Sequence, residues 1–338
     1  MRIVLEETLA EAARARLPGH DVVPFASRTD ARARVLELMA GADVLGFRWP
    51  LAFDIDREFL ASASSLKHIH KSGTGLEHPG VLDIHAAEEL GILFSNNAGL
   101  NADVVAEHAV LLTLLAMRPA TIHHAITARE GRWDPAMPAG TPPARKLAGK
   151  TVGVVGLGQI GTSIIKKLGG LSVGKIYGYQ RRRSFEHSVY ADVEWLELDN
   201  LLATADIIIL CLPINASTEK LIDRRRIGLI RADATVINIG RGGVLDEEAF
   251  YEALRDGRIR AAGLDVLAEE PSASPIMRLP NVIVTPHMAG TAVEMQEMQI
   301  GGAIDAIADF VQRRVPRRLA NPAVLSSPQL RAEWLRAG

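Results

Sequence analysis

Val152-Gly153-Val154-Val155-Gly156-Leu157-Gly158-Gln159-Ile160-Gly161 reads as a buried strand that breaks into glycines at Gly-x-Gly-x-x-Gly spacing and then into a helix. That spacing suits a phosphate-bearing ligand. Gly156 permits a tight turn, Gly158 lets the backbone approach a pyrophosphate, and Gly161 lets the helix pack on the strand. The free N–H groups of the helix start, at Gln159 and Ile160, would face the anion. A glycine triplet alone is a weak signal. Here a strand precedes it, a helix follows, and a second strand, Lys175–Tyr179, comes about 20 residues on, as a dinucleotide site requires. That second strand governs the ribose chemistry. An acid at its end would hydrogen-bond a ribose 2′-hydroxyl. Gln180 stands there instead, followed by Arg181, Arg182 and Arg183, which make either a 2′-phosphate pocket or a solvated basic loop.

The elements that must hold this turn form two βα series. In the first, Arg2–Leu5, Asp21–Phe25, Asp43–Phe47, Leu66–Lys71 and Ile92–Ser95 read as strands, and Leu9–Leu17, Ala31–Met39 and Gly80–Leu90 show helical apolar spacing. A Gly/Asn-rich passage, Asn96 to Asn101, leads into a long apolar helix from about Asp103 to Met117. Pro135 to Pro143 reads as a surface loop. The second series has strands at Thr151–Val155, Lys175–Tyr179, Asp206–Leu212, Thr235–Gly240, Ala261–Leu267 and Asn281–Thr285, then a helical tail from Ala292. The expected fold class is α/β, two doubly wound parallel-sheet domains, the second a Rossmann dinucleotide-binding domain.

Three later segments stand out in order: Asn238-Ile239-Gly240-Arg241-Gly242-Gly243, Gly263-Leu264-Asp265-Val266-Leu267-Ala268-Glu269-Glu270-Pro271, and Thr285-Pro286-His287-Met288-Ala289-Gly290. Together with Lys71-Ser72-Gly73-Thr74-Gly75 and Asn101-Ala102-Asp103-Val104-Val105-Ala106-Glu107-His108, this set resembles the D-isomer-specific 2-hydroxyacid dehydrogenase family, in its glyoxylate/hydroxypyruvate reductase-like branch. The resemblance spans roughly Leu66 to Gly290. It implies a discontinuous substrate-binding domain, residues 1–100 plus 291–338, around a dinucleotide-binding Rossmann domain, residues 101–290. It also implies a homodimer with the long helix at the subunit contact, and a small 2-oxo acid substrate.

Reduction of a 2-oxo acid needs a hydride donor, a proton donor and a cation for the carboxylate. The resemblance assigns the proton to His287, whose imidazole suits transfer in both directions near neutral pH. Glu270 would orient that ring and stabilise its charged form, although Glu269 is an acidic neighbour at the same turn. Arg241 would fork onto the substrate carboxylate and reacting carbonyl, opposite backbone N–H groups of Gly73, Thr74 and Gly75. Asp265 corresponds to a family residue near the nicotinamide, or caps a strand-end turn. The remaining cofactor contacts would come from Val104, Gln180, Arg181, Arg182, Cys211, Pro213, Thr218, Ile239, Gly240 and Gly290, beside the glycine turn. Cys211-Leu212-Pro213 departs from the family's usual His-x-Pro. NADP is the expected cofactor, with NAD as the other possibility. A Gln in place of Glu270 would be expected of a formate dehydrogenase, and a Lys in place of Thr74 of a phosphite dehydrogenase. The alternative class is a dinucleotide-sensing binding protein, which has no need of a proton donor such as His287.

Composition excludes other classes. The 338 residues, 48% hydrophobic and 23% charged, fit a soluble chain of two ordinary domains. A net charge of −2 offers no footprint for nucleic acid. The single cysteine precludes an internal disulfide, and no thiol cluster suggests a metal. Neither a signal peptide nor a membrane span is expected, since Ala109–Met117 falls well short of the ~20 apolar residues a span needs. A cytoplasmic protein without an added regulatory domain is the expectation.

Overall fold

A computed structural model describes residues 1–48, 51–73, 82–131, 133, 137–181 and 193–335. The chain divides into two compact units, Met1–Leu100 with Ala292–Gly338, and Asn101–Thr291. Each is a parallel sheet covered by helices, the fold class expected from the sequence.

The first unit runs β1 (Arg2–Glu6), α1 (Glu7–Arg16), β2 (Asp21–Phe25), α2 (Arg32–Leu38), β3 (Val44–Phe47), α3 (Arg57–Ser62), β4 (His68–Lys71), α4 (Ile84–Glu89) and β5 (Leu93–Asn96). Its strand order is β2-β1-β3-β4-β5, the flavodoxin-like winding. Asp56 and Asp83 start α3 and α4, each side chain accepting from an N–H one turn on (Phe59 N and Ala86 N). The helix over Arg57–Ser62 was not foreseen, although Asp56 is a recognisable cap. On β4, His68 and His70 face one side at period two and are fully buried, sharing the Ser95 hydroxyl at 2.8 and 2.9 Å. Burial disfavours their charged forms, pushing His70 down to about 3 and His68 well below the imidazole range.

The second unit begins with α5 (Ala102–Met117) and α6 (Ala120–Glu130) and continues β6 (Val152–Val155), α7 (Gln159–Gly169), β7 (Ile176–Tyr179), β8 (Val193–Trp195), α8 (Leu198–Thr204), β9 (Ile207–Leu210), α9 (Arg224–Ile227), β10 (Thr235–Asn238), α10 (Glu247–Arg255), β11 (Ala261–Leu264) and β12 (Val282–Val284). The tail helix α11 (Val293–Val311) returns to the first unit. Strand order is β12-β11-β10-β9-β6-β7-β8, so the winding reverses between β6 and β9, the Rossmann arrangement with an added edge strand. Strand β8 and helix α6 were not foreseen. Three residues around the polar Glu194 give β8 no readable period.

Burial on both faces explains the apolar runs. Ile207 and Ile209 of β9 pack with Leu112 and Ile164 on one side, and Ile208 and Leu210 pack with Leu201 and Phe250 on the other. Each such side chain contributes about 1.5–3 kcal/mol. Gly153 of β6 lets α8 pack closely, since a Cβ there would fall 2.5 Å from Leu201 Cδ2 and make that side chain shift. At the opposite end of the sheet Arg260, 9% exposed, donates to Pro143 O at 2.6 Å and to Ala116 O at 3.2 Å. Its guanidinium thereby meets the carbonyl end of α5, where a cation is favoured.

Candidate functional site

In an open α/β sheet the ligand crevice lies beyond the carboxyl ends of the strands where the winding reverses. In the second unit that point is the gap beyond Val155 and Leu210, which pair in register. Gly156 turns there with φ +99°, and its missing Cβ would lie 3.0 Å from Cys211 O. Gly161 brings α7 onto the same turn, since a Cβ there would fall 2.3 Å from Gly156 O. Gly158 behaves differently. A Cβ on it would meet nothing within 4 Å, which leaves open space over the N–H groups of Gln159 and Ile160 at the start of α7. A pyrophosphate fits that space and that donor set.

The crevice continues as a cavity of about 320 Å³ bounded by Gly156, Gly158, Gln180, Arg181, Pro213 and Ser217. No Asp or Glu lines it among the described residues. Gln180 Oε1 is buried without a hydrogen-bond partner among the described residues, and Arg181 Nη1 donates to Ser217 Oγ at 2.5 Å. Arg182 lies outside the described residues. Cys211 forms part of the wall, and burial raises its thiol far above the ordinary range, so it stays neutral. Thr218 also lines the wall, but its hydroxyl donates inward to Pro213 O at 2.7 Å. Gly240 closes on the backbone of Leu212, where a Cβ would lie 2.5 Å from Leu212 O, and Ile239 beside it is buried. Val104 lies on α5, and Gly290 sits against Asn101 and Val105 at the start of the same helix. A larger cavity, about 450 Å³ beside Arg145 and Arg260, lies at the amino-terminal strand ends, the wrong end for this class of ligand.

The three residues assigned to chemistry follow three adjacent strands, Arg241 after β10, Glu270 after β11 and His287 after β12. Glu270 Oε2 lies 2.5 Å from His287 Nδ1, and its other oxygen accepts from Leu267 N at 3.1 Å. Glu270, rather than Glu269, therefore faces the imidazole. Arg241 donates to Gly240 O at 2.9 Å. Its neighbour Gly242 must be glycine, because a Cβ would fall 1.9 Å from Leu267 C, and this close approach brings the Arg241 turn onto the Glu270 loop. Gly73 belongs to the first unit, with φ +101°. Thr74 and Gly75 lie outside the described residues.

Asp265 is 2% exposed, and its carboxylate is fully engaged in the His287 loop. It accepts from Thr285 Oγ1 at 2.6 Å and from the amides of Met288 and Ala289, both at 2.9 Å. His108 on α5 closes the set through Thr285 Oγ1 at 2.9 Å. This geometry matches the turn-cap alternative for Asp265. Sequence reasoning missed Asn238, whose side chain accepts from Gly240 N and donates to Arg241 O, each at 3.1 Å. An Asn at a strand end, one residue ahead of a Gly-Arg pair, was the available signal. It also missed Ser217, which nothing local marks.

The family model described as D-isomer specific 2-hydroxyacid dehydrogenase, NAD binding domain, matches residues 110–289. The chain belongs to the D-isomer specific 2-hydroxyacid dehydrogenase family. Within that family it is 35% identical over 296 residues to a D-3-phosphoglycerate dehydrogenase of Mycobacterium bovis, covering 87% of this chain but 54% of the relative. The chain thus spans about half the length of the phosphoglycerate dehydrogenases it matches. A hydroxypyruvate reductase of Thermotoga maritima is 31% identical over 300 residues, covering 87% of this chain and 93% of the relative. Among solved structures, a 2-hydroxyacid dehydrogenase of Ketogulonicigenium vulgare superposes with a TM-score of 0.78 at 25% identity, covering 95% of this chain and 99% of that one.

Proposed function

We propose that this family member interconverts small 2-oxo acids and their D-2-hydroxy acids with a nicotinamide dinucleotide, NADPH in preference to NADH. The observation that carries the reading is the 2.5 Å Glu270–His287 contact at the carboxyl edge of a sheet whose switch-point crevice suits a dinucleotide. A bound reduced nicotinamide supplies a hydride. The chain supplies the rest. With Nδ1 committed to Glu270, the His287 ring offers Nε2 to the substrate oxygen, giving it a proton on reduction and taking one on oxidation. Glu270 fixes the ring and balances its charge in the protonated state. Arg241 holds the substrate carboxylate through its forked N–H groups. The second unit, which carries the glycine turn together with Arg241, Glu270 and His287, binds the dinucleotide.

The NADPH preference is supported by Gln180 in place of an acid and by Arg181 at the cavity rim. A 2′-phosphate would meet a guanidinium there and, among the described residues, no carboxylate, worth about 1.5–3 kcal/mol. Helix α5 presents Leu111, 47% exposed, and Leu114, 37% exposed, as the apolar part of a proposed homodimer contact. A spectrophotometric screen of glyoxylate, hydroxypyruvate and larger 2-oxo acids with NADPH and NADH tests the reading. Turnover of at least one acid, lost in His287→Ala, is expected. Dinucleotide binding without turnover across the panel would overturn it.

A further inference from the structure

The rim of the dinucleotide cavity is made by two loops that lie far apart in sequence. Arg181 follows β7, and Ser217 stands in the loop after β9, 36 residues away. The parallel order β9-β6-β7 brings the two loops to the same end of the sheet, on either side of the Gly156 turn. Across that gap Arg181 Nη1 donates to Ser217 Oγ at 2.5 Å. Ser217 Oγ in turn donates to Asn215 Oδ1 at 2.7 Å, and the same Oδ1 accepts Ser217 N at 2.9 Å. The hydroxyl is therefore oriented. Its proton points to Asn215, and its lone pair is left for the guanidinium.

Two further observations show what this relay serves. Among the described residues the partner of Arg181 is a neutral hydroxyl and not a carboxylate. Beside it, Gln180 Oε1 is buried and has no hydrogen-bond partner among the described residues. A long exposed side chain normally samples many rotamers, and fixing one carries an entropic cost. A neutral hydroxyl that fixes it beforehand removes part of that cost from ligand binding without competing for the anion.

We propose that Ser217, oriented by Asn215, is a specificity-determining residue that holds Arg181 over the crevice to receive a ribose 2′-phosphate. The assignment rests on the NADPH reading above and extends it to a residue outside the glycine turn and its second strand. Replacing the hydroxyl by a carboxylate would convert a positioning contact into an ion pair. Arg181 would then be neutralised and a phosphate repelled.

Adenosine 2′,5′-bisphosphate and adenosine 5′-monophosphate differ only in the 2′-phosphate, and calorimetric titration of each gives a discrimination ratio that requires no turnover. In the wild-type chain the bisphosphate is expected to bind more tightly. Ser217→Ala should reduce the ratio about threefold to tenfold, the size of one neutral hydrogen bond. Ser217→Thr should restore it, and Ser217→Glu should cut it by more than about tenfold. The ratio should also fall with added salt in the wild type. A wild-type preference that survives Ser217→Ala and Ser217→Glu overturns the role of Ser217 and leaves the NADPH reading standing. Equal affinity for the two ligands in the wild type overturns both.

Discussion

The amide of His287 donates to the carbonyl oxygen of Asp265 at 2.8 Å, while the carboxylate of Asp265 collects the next two amides of the same loop. His287 has φ +52°, a left-handed conformation that β-carbon-bearing residues rarely adopt. It is held by a neighbour that satisfies the loop's donors from beneath. The imidazole is thus aimed by a buried acid it does not touch through its ring, while Glu270 fixes the ring from the side.

If the ring carries the proton, His287→Ala should lower kcat about 10²–10⁴-fold while leaving dinucleotide affinity near wild type. Glu270→Gln should lower kcat to a smaller extent, because Gln keeps a hydrogen bond to Nδ1 but not the charge. Glu269→Gln should be close to wild type, since Glu270 rather than Glu269 meets the imidazole. Steady-state kinetics with fluorescence titration of the dinucleotide decides it. Equal losses in the two glutamine variants would remove the special place of Glu270.

Asp265→Ala should act on both stability and rate. Two amides and the Thr285 hydroxyl lose a charged acceptor in a site 2% exposed, costing about 2–4 kcal/mol, or several degrees in Tm. Displacement of His287 by a fraction of an ångström should lower kcat about 10–100-fold. Thermal unfolding and kcat on the same preparations test this. A lower Tm with unaltered kcat would show that the loop keeps its aim without Asp265.

Much of this site was legible because its parts are local. The glycine turn announces itself through spacing, and runs such as Ile207–Leu210 announce buried parallel strands. Arg241 and His287 could be placed at strand ends by the apolar residues before them. What was not legible depends on distance. Whether Glu269 or Glu270 faces His287 depends on how the loop after β11 turns. Ser217 acquires meaning only when sheet order brings it to Arg181. Asp265 reads from the sequence as a residue near the nicotinamide, and its role in holding the His287 loop shows only in the amides it accepts.

Acid sensitivity should arise in the first unit. His68 and His70 are held neutral by burial, with His70 near 3 in the folded chain against 6.5 when unfolded. Below 6.5 the unfolded chain takes up protons that the folded chain refuses, so stability is complete above that value and declines as pH falls towards the folded values. The decline is about 1.4 kcal/mol per pH unit for each histidine. Asp56, Asp199 and Asp309, all lowered to about 2 by arginine partners, contribute only below their ordinary 3.8. Glu252 is likewise lowered from 4.5 by Arg224, so a fall in Tm between pH 6.5 and about 5, above the carboxylate range, reports the histidines. A flat Tm over that window would mean that protonated His68 or His70 finds stabilising partners.

Gly242 offers a test of how the arginine turn and the acid loop are coupled. A Cβ at this position would lie 1.9 Å from Leu267 C and 2.4 Å from Ala268 N, and those atoms are backbone that cannot rotate away. Leu267 N is also the donor that holds Glu270 Oε1. Gly242→Ala must therefore push the start of the Glu270 loop, loosening the carboxylate from His287 even though neither residue is changed. The expected cost is about 1–3 kcal/mol of stability from overpacking and about 10–100-fold in kcat. Gly243→Ala is the matched control. A Cβ there meets only the Ile214 side chain, at 3.3 Å, which can shift. Kinetics and unfolding of both variants should separate them clearly. If Gly242→Ala behaves like Gly243→Ala, the Arg241 turn and the Glu270 loop move independently, and the close approach of their backbones has no bearing on the acid–imidazole pair.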